Sequence, residues 1–402
     1  MRFLLALAAL VVPLAAHAQP PAVPHPGKLA AITPVLQAFV DKGELAGAVA
    51  AVGRSTGVVH LGAVGSLSLD PPTPMPPDAL FRIASMTKPV TALAVMMLVE
   101  DGQIASVNDP VKKYLPEFTG QMLVKSKSSD VVTLVKPTRA ITLKDLLTHT
   151  SGLPGGYPAG LGNVYGTRDR TLAETTLVIS QQPLEFEPGS KWAYCNAGID
   201  TLGRVVEVVS GHGYEAFLQA RLFRPLGMTD TTTAPTAAQR QRLAVTYGIK
   251  DGKLTPAAPG FLDAMAHPKH PIPAGGLCST AADLAKLYRC LLNKGELGGK
   301  RVIQAGTLAT MTTPQTGDLK CGFTDGMSFG LGFAVVKTPT GVTASLSPGS
   351  FGHGGAFGTQ VWADPAKDFF VILLIARSDV GNADGSKYRQ AVQDLAAAAV
   401  TP

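Results

Sequence analysis

Apolar residues recur at helical spacing over 29–40. They then give way to two short apolar runs, 46–52 and 58–64, on either side of the turn-forming Arg54-Ser55-Thr56-Gly57. This pattern predicts a helix followed by a β-hairpin. The stretch 89–100 differs in kind, because Val90, Leu93, Ala94, Met96, Met97 and Leu98 leave it no polar face. It predicts a buried core helix that begins after Ser85 and stops at Asp101-Gly102. Helical signals dominate from there to about residue 320: Thr142 and Asp145 have capping-box spacing at the head of 143–147, and 197–210 is amphipathic and stops at Gly211. Residues 214–222 and 281–292 add two further helices. The character then changes, since 330–336, 359–363 and 368–376 are short, β-branched or aromatic, and bounded by Gly, Pro and Asp. These predict strands, and 387–400 predicts a closing helix. Strands at both ends with helices between them imply one sheet assembled from the two termini, with a helical region inserted.

Composition narrows the function classes. Of 402 residues, 46% are hydrophobic and only 16% charged, which suits a large core and not a disordered polymer. The 43 Gly and 31 Pro imply many turns, but no repeat period links them. The formal charge of +6 is mild. The densest basic stretch, Lys125 to Arg139, lacks interleaved aromatics for stacking bases, so it reads as a solvated loop and not as a nucleic-acid surface. Residues 1–18 have the form of a cleaved export signal: Arg2, an apolar run over 3–16, and Ala16-His17-Ala18. That run is shorter than the ~20 residues a membrane span needs, so a secreted or periplasmic protein without a stable membrane anchor is expected. An oxidising compartment permits one bridge among Cys195, Cys278, Cys290 and Cys321. Cys278 and Cys290 are excluded as partners, because the intervening helix sets them about 15 Å apart. His267 and His270 match no metal-binding spacing, and no metal site is expected.

Three short constellations could carry chemistry. Ser85 and Lys88 share a helix face at the start of the buried helix. A serine needs a base, and a lysine in an apolar pocket can serve as one because burial disfavours the ammonium. A capping Ser beside a snorkelling Lys fits the same four residues. Tyr194 and Asn196 lie two apart in a Gly-bounded loop before a helix. There a phenol with its pKa lowered by cations could act as a base, and an amide could bind both substrate and Lys. A core Tyr and an N-capping Asn fit equally. His353-Gly354-Gly355-Ala356 stands before a strand, where backbone N–H groups could face an oxyanion with His353 at the rim as a donor. A glycine-rich turn with an exposed His is the competing reading. Gly326-Met-Ser328-Phe-Gly330 mimics a nucleophile elbow, but no acid separates Ser328 from the only later histidine, so Ser328 is assigned no catalytic role.

Ser-x-x-Lys, Tyr-x-Asn and His-x-Gly, in this order and with these wide separations, resemble the serine β-lactamase and penicillin-binding protein superfamily. The resemblance is to its class C-like branch of class C β-lactamases, D-alanyl-D-alanine carboxypeptidases, D-aminopeptidases and family VIII carboxylesterases. Further resemblance lies in Phe81 to Lys88, Ile141 to Leu153, Pro225 to Met228 and Gly275 to Thr280, and it runs from about 29 to 399. It implies an α/β (α+β) fold: an antiparallel sheet flanked by helices, drawn from about 28–84 and 325–400, with an all-helical region over about 100–320. Together these form one hydrolase domain over 19–402. The resemblance also implies acylation of Ser85, proton work shared by Lys88 and Tyr194, substrate positioning by Asn196, and an oxyanion hole from the N–H groups of Ser85 and Ala356. No cofactor is implied, and the partner is a small ester or amide.

The sequence departs from the family where His353-Gly354-Gly355 replaces the usual Lys-Thr-Gly. A mostly neutral imidazole and a glycine bind a carboxylate poorly, which favours neutral esters. Placing Lys and Thr at 353 and 354 is expected to restore carboxylate recognition. Cys195, between Tyr194 and Asn196, is read as packing. The leading expectation is an exported carboxylesterase on short-acyl esters working through an acyl-enzyme. The alternatives are a class C-like β-lactamase, a D-amino-acid peptidase of the DD-carboxypeptidase type, or a catalytically silent binding protein.

Overall fold

Strand Phe369–Ile375 is buried along its whole length, which is why it reads as an unbroken apolar run instead of an alternation. In the computed structural model, which describes residues 24–156, 158, 167–257 and 268–400, this strand pairs antiparallel with Gly47–Arg54. Ala48 faces Ile375 and Gly53 faces Phe370, so the two ends of the chain meet in one sheet. In chain order its strands are β1 (Gly47–Arg54), β2 (Gly57–Leu69), β3 (Pro72–Pro74), β4 (Met327–Phe329), β5 (Ala334–Val336), β6 (Phe351–Gly354), β7 (Gln360–Asp364) and β8 (Phe369–Ile375). Their spatial order is β4-β5-β6-β7-β8-β1-β2-β3, antiparallel throughout.

The two-residue period of the strands divides their side chains between two cores. Val49, Ala51, Phe370, Ile372 and Leu374 face the larger core, with α2 (Thr87–Glu100), α3 (Asn196–Ser210) and α4 (Ala281–Leu292). Ala48, Ala50, Val52, Val371 and Leu373 face the smaller core, with Ile32 and Leu36 of α1 (Ile32–Asp41) and Val392 and Ala396 of the closing helix, Lys387–Val400. Helix α2 is buried from Thr87 to Leu98, as its lack of a polar face predicts. Each such Leu or Val contributes about 1.5–3 kcal/mol of burial, so this helix anchors whatever stands at its N-terminus. The Thr142/Asp145 capping box and the Gly211 stop of α3 form as the sequence indicates.

Several elements differ from expectation. The first helix breaks at Ala31 into Pro26–Ala30 and Ile32–Asp41. The expected strand 330–336 is instead a hairpin end, with β4 and β5 joined by a tight turn at 330–333. Gly332 sits there at φ +79 against the Cβ of Ala92, where a side chain would collide. The basic stretch 125–139 is not a loop: Leu123–Lys127 pairs with Val132–Val135, a hairpin whose Val131, Val132 and Leu134 face solvent. Solvent on this two-stranded ribbon hides the alternation that normally reveals a strand. A second hairpin, Tyr247–Lys250 with Lys253–Pro256, is not among the expected elements, although its two-residue turn Asp251-Gly252, both at positive φ, is a hairpin signal in the sequence. All four cysteines are buried free thiols. The leader and His267 lie outside the described residues, and among the described ones no helix is long and apolar enough to cross a membrane.

Candidate active site

Ser85 sits in a single 3-10 turn, Ala84–Met86, that feeds directly into α2. Ala84 is held at φ +46, a left-handed conformation that a residue with a Cβ adopts only when its surroundings enforce it. Here they do. Thr87 Oγ1 donates to Ala84 O at 2.7 Å and accepts from Leu277 N at 3.2 Å, while Thr359 Oγ1 donates to Ile83 O at 3.2 Å. The serine is thus presented from a turn pinned on both sides.

Lys88, one helical turn on, is fully buried. Its Nζ lies 3.0 Å from Ser85 Oγ, 2.8 Å from Asn196 Oδ1 and 2.7 Å from Ala274 O. Burial pulls its pKa down to about 7, with the charge of Asp200 opposing the fall. A neutral amine has two N–H bonds and one lone pair. The Asn196 and Ala274 oxygens only accept, so they take both N–H bonds and leave the lone pair for the Ser85 hydroxyl. The alternative of a snorkelling lysine does not describe this side chain.

The Tyr194 side chain lines the cavity beside Ser85 and interacts with it, and its ring centroid stands 4.6 Å from Lys88 Nζ. The expectation that nearby cations lower its pKa is reversed, because burial dominates and raises it. The phenol therefore stays protonated. The loop carrying it is braced by His149, whose Nδ1 accepts from Cys195 N at 3.1 Å and whose ring lies 4.6 Å from that of Tyr194. Burial holds His149 well below the ordinary histidine pKa, so it is a neutral strut. Asn196 is not the N-cap of α3. Cys195 is, its Sγ accepting from Gly198 N at 3.4 Å and donating to Pro154 O at 3.3 Å, so this thiol caps the helix as well as packing.

His353 and Gly354 lie in β6, an interior strand of the sheet and not an edge. His353 is buried instead of standing at a rim or in an exposed turn. Its Nδ1 is 2.6 Å from Gly354 O, which can only accept, so Nδ1 carries the proton and Nε2 is left as an acceptor. The expected donor role therefore does not hold for the neutral ring, and burial pushes its pKa down to about 4. Gly355 is glycine for a steric reason: a Cβ there would strike Thr359 Oγ1 and the Ile83 carbonyl, the point where the strand approaches the serine turn. A Cβ on Gly354 would strike Asp384 Oδ1 and Gln360 Nε2, so threonine fits at this position only if these two side-chain ends move.

Ser85, Tyr194, His353, Gly354, Gly355 and Ala356 line one cavity of about 200 Å³, and Lys88 and Asn196 lie directly behind it. Ser328 does not belong to it: buried in β4, its Oγ pairs with Thr316 Oγ1 at 3.1 Å. Sequence reasoning missed Ala274, whose carbonyl holds Lys88, and Asp200, whose Oδ1 fixes Ala274 N at 2.8 Å. The nearby Gly275-Gly276 pair was the available signal. It also missed His149, Phe323 and Asp384, the last two being cavity walls contributed by turn-rich loops. Among the described residues, no group of three or more His, Cys, Asp or Glu could hold a metal ion.

The family profile described as Beta-lactamase matches residues 32–396. The chain belongs to this family. It is 32% identical over 361 residues to Esterase EstB of Burkholderia gladioli, covering 82% of this chain and 86% of that one. It is 28% identical over 346 residues to a putative D-alanyl-D-alanine carboxypeptidase of Escherichia coli K12, covering 80% and 75%. Among solved structures it resembles EstCE1, a hydrolase with promiscuous acyltransferase activity, at TM-score 0.77 and 25% identity, covering 92% and 98%. The protein is a serine hydrolase of the β-lactamase and penicillin-binding protein superfamily, with that superfamily's mixed α/β fold.

Proposed function

We propose that the protein is an exported carboxylesterase that hydrolyses short-acyl esters through an acyl-enzyme on Ser85. The observation that carries the catalytic part is Lys88 Nζ 3.0 Å from Ser85 Oγ with its two other contacts on acceptor oxygens, an arrangement that in the neutral amine leaves the lone pair for the serine. Neutral Lys88 takes the serine proton as Oγ attacks the ester carbonyl. The backbone N–H groups of Ser85 and Ala356 receive the developing oxyanion. Tyr194, a protonated phenol beside Ser85, relays the proton to the departing alkoxide. Water then enters along the same path in reverse and frees the acid. Asn196 anchors Lys88 through Oδ1 from behind the cavity.

The ester preference rests on the third element. Its imidazole spends its only proton on Gly354 O and offers no donor to a carboxylate. The likeness to Esterase EstB supports the same reading. Comparing kcat/KM on an aryl acetate, a chromogenic cephalosporin and a D-Ala-D-Ala peptide tests it. The aryl acetate should be hydrolysed best, and Ser85→Ala should abolish the reaction. Preference for the peptide would instead favour the carboxypeptidase reading that the Escherichia coli relative raises.

A further inference from the structure

Asp384 enters the catalytic cavity from the 381–385 loop, between β8 and the closing helix, and its Oδ1 rests against the Cα of Gly354. The loop is tied down at three points. Asn382 Nδ2 donates to Phe323 O at 2.7 Å, Gln360 Nε2 to Ala383 O at 2.9 Å, and Arg389 NH1 to Asp384 O at 2.7 Å. Gln360 is itself oriented, because Trp362 Nε1 donates to its Oε1 at 3.0 Å and so turns Nε2 toward Asp384 Oδ1, 3.2 Å away. Arg389 holds the main-chain carbonyl of Asp384 while its guanidinium stacks 4.1 Å over Trp362. The carboxylate is therefore positioned before any substrate arrives.

Apart from the Gln360 amide that holds it, the strand facing the carboxylate offers no donor. His353 keeps its proton on Gly354 O and has Nε2 buried without a partner, and Gly354 contributes no side chain. Phe323, half exposed, supplies an apolar wall across the mouth, edge-on to Tyr194 at 5.0 Å. The cation Arg389 acts on Asp384 from behind the loop, buried against Trp362 and outside the cavity lining, so the face turned to a substrate combines one carboxylate with an acceptor nitrogen and an aromatic wall.

We propose that Asp384 is a specificity-determining residue. It excludes substrates carrying a carboxylate and selects esters whose acyl group carries an ammonium or another hydrogen-bond donor beyond an apolar spacer. This rests on the ester reading above and specifies its substrate class. The physical basis is that like charges a few ångströms apart in a partly enclosed site repel, while a cation there is attracted and can also lie against the Phe323 ring.

The test uses three matched 4-nitrophenyl esters: 4-(trimethylammonio)butanoate, its neutral isostere 5,5-dimethylhexanoate, and the glutarate half-ester. Wild type at low salt should favour the cationic over the anionic ester by roughly ten- to a hundredfold in kcat/KM, and added salt should shrink that ratio. In Asp384→Asn, which keeps the shape and the acceptor for Gln360, the ratio should fall at least about tenfold as the charge term is lost. Equal or faster turnover of the anionic ester by wild type would overturn the proposal, as would an unchanged ratio in Asp384→Asn. Should that variant lose turnover of all three esters, the wild-type ratio and its salt dependence decide the matter. Failure of wild type on the neutral ester would overturn the ester reading itself, and this inference with it.

Discussion

Lys88 Nζ faces Ser85 Oγ at 3.0 Å while its two other hydrogen bonds run to oxygens that can only accept. That relationship sets the protonation state the site needs. An ammonium would spend all three protons, one on the serine itself, whereas the amine presents a base.

The first consequence is a pH profile. Because burial places Lys88 at about 7 and the base must be deprotonated, kcat/KM for a neutral ester should rise with pH through about 7 and level off above it. Asp200 raises the Lys88 pKa, so Asp200→Asn, which still offers an oxygen to Ala274 N, should move this limb to lower pH. A limb that stays in place would assign it to another group.

Replacing the amine tests the same point chemically. Lys88→Ala and Lys88→Arg should each cost about 10² or more in kcat, since a guanidinium keeps its charge and cannot act as the base. Rates near wild type in Lys88→Arg would exclude a lone-pair mechanism.

Tyr194→Phe should lower kcat by about 10² through loss of the proton relay, yet leave the acidic limb near pH 7. The phenol is driven upward in pKa by burial and contributes no titration in this range. Disappearance of the limb in this variant would make the phenol, not the amine, the base.

Gly355→Ala should both destabilise and inactivate, because its Cβ would strike Thr359 Oγ1 and the Ile83 carbonyl beside the nucleophile turn. Overpacking of this kind costs about 1–3 kcal/mol, readable as a lower Tm. By contrast, Ser328→Ala loses only the bond to Thr316, about 1 kcal/mol, and should keep activity within a few-fold.

Much of this architecture was legible where one physical cause dominated. Apolar continuity marked α2 and β8 because both are buried on every side, and capping chemistry marked Thr142 and Gly211. The solvent-washed hairpin at 123–135 escaped notice because water, not a core, faces its Val131, Val132 and Leu134. Within the site, Ser85, Lys88, Tyr194, Asn196 and His353 stood out as reactive types at meaningful spacings. What they do to one another depends on tertiary facts that no spacing encodes. Burial reverses the expected shift of Tyr194, the neighbouring carbonyl fixes the tautomer of His353, and Asp384 reaches the cavity from a loop with nothing to distinguish it in sequence.

The most direct test of the central claim is intact-protein and peptide mass spectrometry after rapid mixing with a 4-nitrophenyl acetate and acid quench. The account predicts a single acetyl adduct that maps to Ser85 and is absent in Ser85→Ala. An adduct on another residue, or undiminished turnover by Ser85→Ala, would contradict it.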